Sequence, residues 1–152
     1  MELNEDLKFE INVFGQYIRI TPISKIYYES NLDWDKNWIK TQIEVKSGSF
    51  MGCYKADLTT FDFKNLKEDL ILLYNNLNEE IVFKDLEGYL ELIFKGDNTG
   101  NITIKITCND RPGIYSTELK FEMHFDQTYI MPLVKRLENI TNRFQIIGNF
   151  NK

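Results

Sequence analysis

Histidine occurs once in this sequence, at His124, and that scarcity removes most catalytic templates at once. A nucleophile–histidine–acid set needs a general base, and no nucleophile-elbow motif accompanies this one. A zinc site needs several Cys or His ligands, and Cys53 and Cys108 both lie far from His124 in the chain. Between Glu122 and Asp126 on an alternating stretch, the imidazole reads as charged surface. Glycine-rich phosphate loops and dinucleotide fingerprints are also missing. Only two cysteines occur, without close spacing, and they read as two buried thiols in a reducing compartment. A disulfide between two strands remains geometrically possible. Proline is scarce too, at Pro22, Pro112 and Pro132, and none of the three sits in a linker-like context. With no repeat and no low-complexity tract, residues 1–152 are expected to form one domain. No apolar run approaches the ~20 residues of a membrane helix. The opening Met1-Glu2-Leu3-Asn4-Glu5-Asp6 is acidic where a secretion signal is basic and then apolar. A cytoplasmic protein without a membrane partner is therefore expected. Excess basic charge is the last absence: 18 Lys+Arg face 23 Asp+Glu, a net charge of −5. That balance repels phosphate backbones and argues against nucleic acid as a direct ligand. A basic protein partner fits it better.

What is present is enough for a full core. At 152 residues and 43% hydrophobic composition, folding removes roughly 70% of the unfolded chain's surface from water. Eleven Phe, eight Tyr and two Trp supply more ring surface than a core alone requires, so some of it is available for contacts.

Strand alternation dominates the pattern. Phe9, Ile11 and Val13 alternate with polar residues, Gly15 permits a turn, and Tyr17–Ile20 follows. A loop is expected from about Pro22 to Asp35. Ile39, Thr41, Ile43 and Val45 then alternate with Lys40, Gln42, Glu44 and Lys46, and Ser47-Gly48 reverses the chain into a strand near Phe50–Lys55. The period changes after Thr59 and Thr60, which offer hydroxyl caps ahead of Asp62. Leu66, Leu70, Leu73, Tyr74 and Leu77 form the stripe of an amphipathic helix ending near Asn75–Asn78. Short strands follow at Glu80–Lys84, Tyr89–Lys95 and Ile102–Cys108, with a turn at Asp110-Arg111-Pro112-Gly113. The next strand places Tyr115, Leu119, Phe121, Met123 and Phe125 on one face. A last helix begins near Asp126–Thr128, with Ile130, Leu133, Leu137, Ile140 and Phe144 as its stripe. The expectation is an α+β fold in the order ββββ-α-ββββ-α, its seven or eight strands forming an antiparallel sheet with two helices on one face.

Two surfaces qualify as binding candidates. The first is the loop carrying Tyr27, Tyr28, Glu29, Asp33, Trp34 and Asp35, where rings are interleaved with acids. Rigid rings make interface hot spots, and carboxylates pair with basic partners. An ordinary loop flanking a core Trp38 is the plainer reading. The second surface is the acidic stretch Glu79, Glu80, Asp85, Glu87 and Glu91, whose plainer reading is a solvated edge. Paired carboxylates such as Glu79/Glu80, Asp85/Glu87 and Asp33/Asp35 would serve a glycosidase only if they faced each other across a cleft. In so acidic a chain such pairs arise by composition. No catalytic residue, metal or cofactor is indicated, and the residues themselves point to binding rather than turnover. A small-molecule or peptide binding domain with an aromatic-lined sheet face is the alternative.

Asp35-Lys36-Asn37-Trp38-Ile39 and the alternating strand after it resemble the WapI family of bacterial immunity proteins, in which an Asp-x-Asn-Trp-Leu pattern opens a hairpin. Thr60, Leu66 and Leu70 are similar to that family's Thr before a Leu-rich helix. Phe83-Lys84-Asp85-Leu86-Glu87-Gly88-Tyr89-Leu90 resembles its Phe-x-x-Leu-Glu-Pro-x-Leu run, with Gly88 where proline is usual. The likeness spans Asp33 to Phe144. It implies a non-catalytic cytoplasmic antitoxin whose partner is the C-terminal domain of a cognate toxin, nucleases being common among such toxins.

Overall fold

The period-two alternation becomes eight strands in the computed structural model, which describes residues 5–150. Of the acidic opening, Met1–Asn4 lie outside the described residues. A 3-10 turn at Glu5–Leu7 leads into β1 (Phe9–Val13), β2 (Gln16–Lys25), β3 (Trp38–Ser47) and β4 (Phe50–Thr59). Helix α1 (Thr60–Asn75) follows, then β5 (Glu80–Lys84), β6 (Leu90–Gly96), β7 (Asn101–Asn109), β8 (Glu118–Asp126) and α2 (Ile130–Arg143). The expected α+β class and element order are present. The strands form two antiparallel four-stranded meanders, ordered β1-β2-β3-β4 and β5-β6-β7-β8, rather than one continuous sheet. The reason lies in the connections. Short turns join strands within each meander, whereas the 16-residue α1 separates β4 from β5 and prevents a hairpin between them.

Each sheet turns its apolar face to a common core. Phe9, Ile11, Ile18, Ile20, Ile39 and Ile43 come from the first sheet, and Leu92, Phe94, Ile102, Ile104 and Met123 from the second. Leu66, Leu70 and Leu73 of α1 and Ile130, Leu137 and Ile140 of α2 join them. Each such side chain contributes roughly 1.5–3 kcal/mol of burial. The helices pack mainly on one another, α1 also touching β5 and α2 touching β1. The Tyr54 hydroxyl donates to the Tyr89 carbonyl at 2.7 Å and ties the two sheets together beside the core. Among the described residues, no helix is long and apolar enough to cross a membrane.

Local chemistry explains the boundaries. Thr59 caps α1 through a reciprocal box: its Oγ1 accepts from the Asp62 N–H at 3.2 Å, and Asp62 Oδ2 accepts from the Thr59 N–H at 2.8 Å. Asp126 accepts from the Thr128 N–H at 2.8 Å and starts the 3-10 turn that leads into α2. Gly96 has no room for a side chain, since a Cβ there would lie 2.0 Å from the Leu77 carbonyl oxygen.

Three expectations need correction. β2 runs from Gln16 through Pro22 to Lys25, rather than ending at Ile20 and giving way to a loop from about Pro22. β1 stops pairing at Phe9↔Ile20, so Pro22 meets a strand only on the β3 side, where a bulge between Pro22 and Ser24 absorbs it. Tyr115 lies outside β8 and is exposed beside Ile114. Asp110 closes that loop at its base, its N–H donating to the Thr117 carbonyl at 3.2 Å while Oδ1 accepts from the Thr117 N–H at 2.8 Å. Cys108 is buried as expected, but Cys53 sits on the outer face of β4 and is exposed, and both thiols are free.

Candidate functional site

The two surfaces singled out in the sequence meet in one place. Tyr27 and Asp35 from the β2–β3 connection, Trp38 at the start of β3, Asp57 of β4, and Leu86 and Glu87 from the β5–β6 turn line an open cleft of about 420 Å³.

Each wall is held by its own bonds. The Ile26 N–H donates to the Trp38 carbonyl at 3.2 Å and closes the base of the β2–β3 loop. Asn37, fully buried, donates from Nδ2 to the carbonyls of Asp33 and Ile147 at 3.0 Å each, and accepts at Oδ1 from the Ile147 N–H at 2.8 Å. The loop is thus fastened to the segment after α2. Within the loop, Ser30 Oγ donates to Asp35 Oδ2 at 3.2 Å. The opposite wall depends on Asp85, which is only 6% exposed. Its carboxylate accepts from the Tyr89 N–H at 3.1 Å and the Leu90 N–H at 2.8 Å, shaping the turn that projects Leu86 and Glu87. Gly88 adopts a φ of +87° in that turn. Proline, fixed near −65°, has no access to this conformation, so a proline at position 88 would force a different turn.

The cleft is electrostatically one-sided. Among the described residues, no lysine or arginine lines it. The Glu87 carboxyl is held above its usual range, first by burial and then by the negative charges of Asp57 and Asp85. Burial raises the Tyr89 phenol as well, with Asp57, Glu87 and Asp85 adding to it. Carboxyls that oppose one another's ionisation mark a place where an incoming cation is favoured. A lysine or arginine of a protein partner matches it, with Tyr27 and Trp38 as flat walls for its stem or guanidinium. Among the described residues, no group of three His, Cys, Asp or Glu side chains is placed to hold a metal ion.

The remaining candidates are dispersed. Tyr28 and Glu29 are exposed on the same loop but do not line the cleft. Asp33 pairs with Lys36 at 3.4 Å. Trp34 stacks on Phe61 at 4.7 Å between ring centroids and meets Phe150 edge-on at 5.7 Å, so it anchors the loop to α1 and the end of the chain. Glu79 accepts from Asn76 at 3.1 Å, Glu80 is exposed on β5, and Glu91 pairs with Lys84 at 3.1 Å. Of the eleven, the structure brings Tyr27, Asp35 and Glu87 together, with Asp85 supporting from beneath. Asp57 and Leu86 escaped the sequence reading, and Trp38, expected in the core, is only half-buried and lines the cleft. Asp57 lies in β4 beyond the expected strand Phe50–Lys55, and only its pairing opposite Lys40 and the approach of the second sheet give it a place in the cleft. His124 is exposed, bonded to Thr103 at 3.0 Å and 3.4 Å from Glu122, as charged surface.

This fold is shared with solved structures. WHY1 from Arabidopsis thaliana is 12% identical, with a TM-score of 0.53, over 93% of this chain and 85% of that one. The plant transcriptional regulator PBF-2 is 12% identical, with a TM-score of 0.50, over 90% of this chain and 81% of that one. At such identity the likeness concerns the fold alone. Among proteins with curated descriptions, none matches the chain in sequence. The model of the immunity protein WapI-like family matches residues 8–145, nearly the whole chain. That span covers both walls of the cleft, and the chain belongs to the WapI-like immunity protein family.

Proposed function

We propose that this chain acts as one cytoplasmic domain that binds a cognate bacterial toxin domain and neutralises it by occlusion, without turnover. The observation that carries the reading is the convergence of Tyr27, Asp35, Trp38, Asp57, Leu86 and Glu87 on one acidic, ring-walled cleft, in a chain of the immunity protein family. An acidic surface steers a basic partner during encounter and fixes its register on docking. A nuclease is the toxin class that best supplies such a partner, because the lysines and arginines that grip phosphates can be occupied by carboxylates instead. Covering those residues denies the nuclease its substrate.

Co-expression tests this directly. The chain is paired with the C-terminal domain of a large secreted protein encoded immediately upstream, after that domain alone is shown to stop growth. Restored growth and co-purification of the two chains in equal amounts is the expected result. Continued growth arrest, with no complex, overturns the proposal.

A further inference from the structure

Among the described residues, β4 ends its sheet with no strand beyond it. The two-residue loop Gly48-Ser49 makes Ser47 and Phe50 the first bonded pair of the β3–β4 hairpin, and bonded and unbonded pairs alternate from there. Gly52, Tyr54 and Ala56 therefore bond to β3, while Met51, Cys53 and Lys55 aim their N–H and C=O groups away from it. Among the described residues, no other element takes up those backbone groups.

Natural edge strands are usually short, charged, bulged or covered. This one is ten residues long, and Phe50, Met51 and Cys53 are exposed along it. Its one lysine, Lys55, is engaged by the side chain of Gln42. A groove of about 220 Å³ runs beside Met51 and Cys53, walled by Tyr54, Cys108 and Leu119. At the other end the strand leads to Asp57 and the acidic cleft.

We infer that the free edge of β4 takes an extended segment of the toxin as a fifth strand of the first sheet. Apolar side chains of that segment lie over the Met51–Cys53 end, and a lysine or arginine reaches the cleft at Asp57 and Glu87. Backbone pairing supplies affinity, and the apolar-to-acidic gradient sets the direction of the segment. A second copy of this chain would bring another Met51, Cys53 and Asp57 and leave the cleft's charge unanswered, so the basic toxin strand is the occupant that complements both ends. The inference rests on the immunity reading above.

The test uses the full chain and the toxin domain identified by growth rescue. Cys53→Pro removes only an N–H that points away from β3, a position where an edge strand tolerates proline. Cys53→Ala keeps that N–H. The proline variant is expected to melt near the wild type yet bind the toxin about tenfold or more weakly, with the alanine variant close to wild type. Amide hydrogen exchange on the wild-type protein gives a second readout that needs no variant. The amides of Met51, Cys53 and Lys55 should exchange freely alone and become protected in the complex. A complex in which they stay unprotected, or one that a folded Cys53→Pro protein forms at full strength, overturns the inference alone. Protection that grows with protein concentration in the absence of toxin assigns the edge to a second copy and also overturns it. Failure of any complex with the toxic domain overturns the immunity reading and this inference with it.

Discussion

Phe14 carries a backbone conformation that its side chain does not favour. It stands at φ +53° beside Gly15 at +84°, forming the two-residue tip between β1 and β2, and its ring is fully exposed. The glycine made the turn legible in the sequence; the phenylalanine did not, because an aromatic beside a strand reads as part of it. Left-handed backbone costs an L-residue roughly 1–2 kcal/mol, less for asparagine. Phe14→Asn builds the Asn-Gly pair that such turns prefer and should raise stability by about 0.5–1 kcal/mol. The check is a higher urea midpoint at unchanged slope. Asn37 behaves oppositely. Its place in the Asp-x-Asn-Trp pattern was visible, but its partner Ile147 lies 110 positions away in the chain and was not. Asn37→Ala removes three bonds made by a buried side chain to partly exposed backbone on both segments, and should cost about 1–3 kcal/mol in the same urea experiment.

At the scale of elements, the start of α1 was readable because capping is local. Thr59, Thr60 and Asp62 announced a helix, and the reciprocal bonds of Thr59 and Asp62 deliver it. The charge state of Asp62 was not readable. Burial beside the sheet lifts its carboxyl to about 6 from an ordinary 3.8, against the hydrogen bonds from Thr59 that lower it, with Asp85 adding to the rise. Between those two values the folded protein holds a proton that the unfolded chain has already released. This group's contribution to stability therefore falls as pH rises through that window and is lowest at neutral pH. Asp62→Asn can still accept the Thr59 bonds but cannot ionise. Its stability should decline less than the wild type's between pH 4 and pH 6.5, measured by urea unfolding at both. Parallel declines would show that Asp62 ionises as freely in the fold as in the unfolded chain. The strands were legible for the same local reason, since alternation is written residue by residue. Tyr115 was misplaced because the Asp110–Thr117 closure that ejects its loop joins groups seven residues apart across a turn.

At the scale of the whole molecule, division into two sheets and the cleft between their connections follow from packing that no single stretch of sequence encodes. The acidity was plain, yet Glu79, Glu80 and Glu91 point elsewhere on the second sheet while the unremarked Asp57 joins Asp35 and Glu87. A toxin bound at this cleft should lose affinity as salt rises, because its charges are only partly shielded from solvent. The measurement that bears most directly on the central claim is the affinity of the toxin domain for three proteins by calorimetric titration: wild type, Asp57→Lys with Glu87→Lys, and Glu79→Lys with Glu80→Lys. Both variants carry their substitutions on exposed or half-buried positions and should fold, which melting curves verify. The cleft pair is expected to bind at least about tenfold more weakly, and the outer pair to stay within about threefold of wild type. Full-strength binding by the folded cleft variant, or a loss confined to the outer pair, would contradict the account and move the toxin to another face.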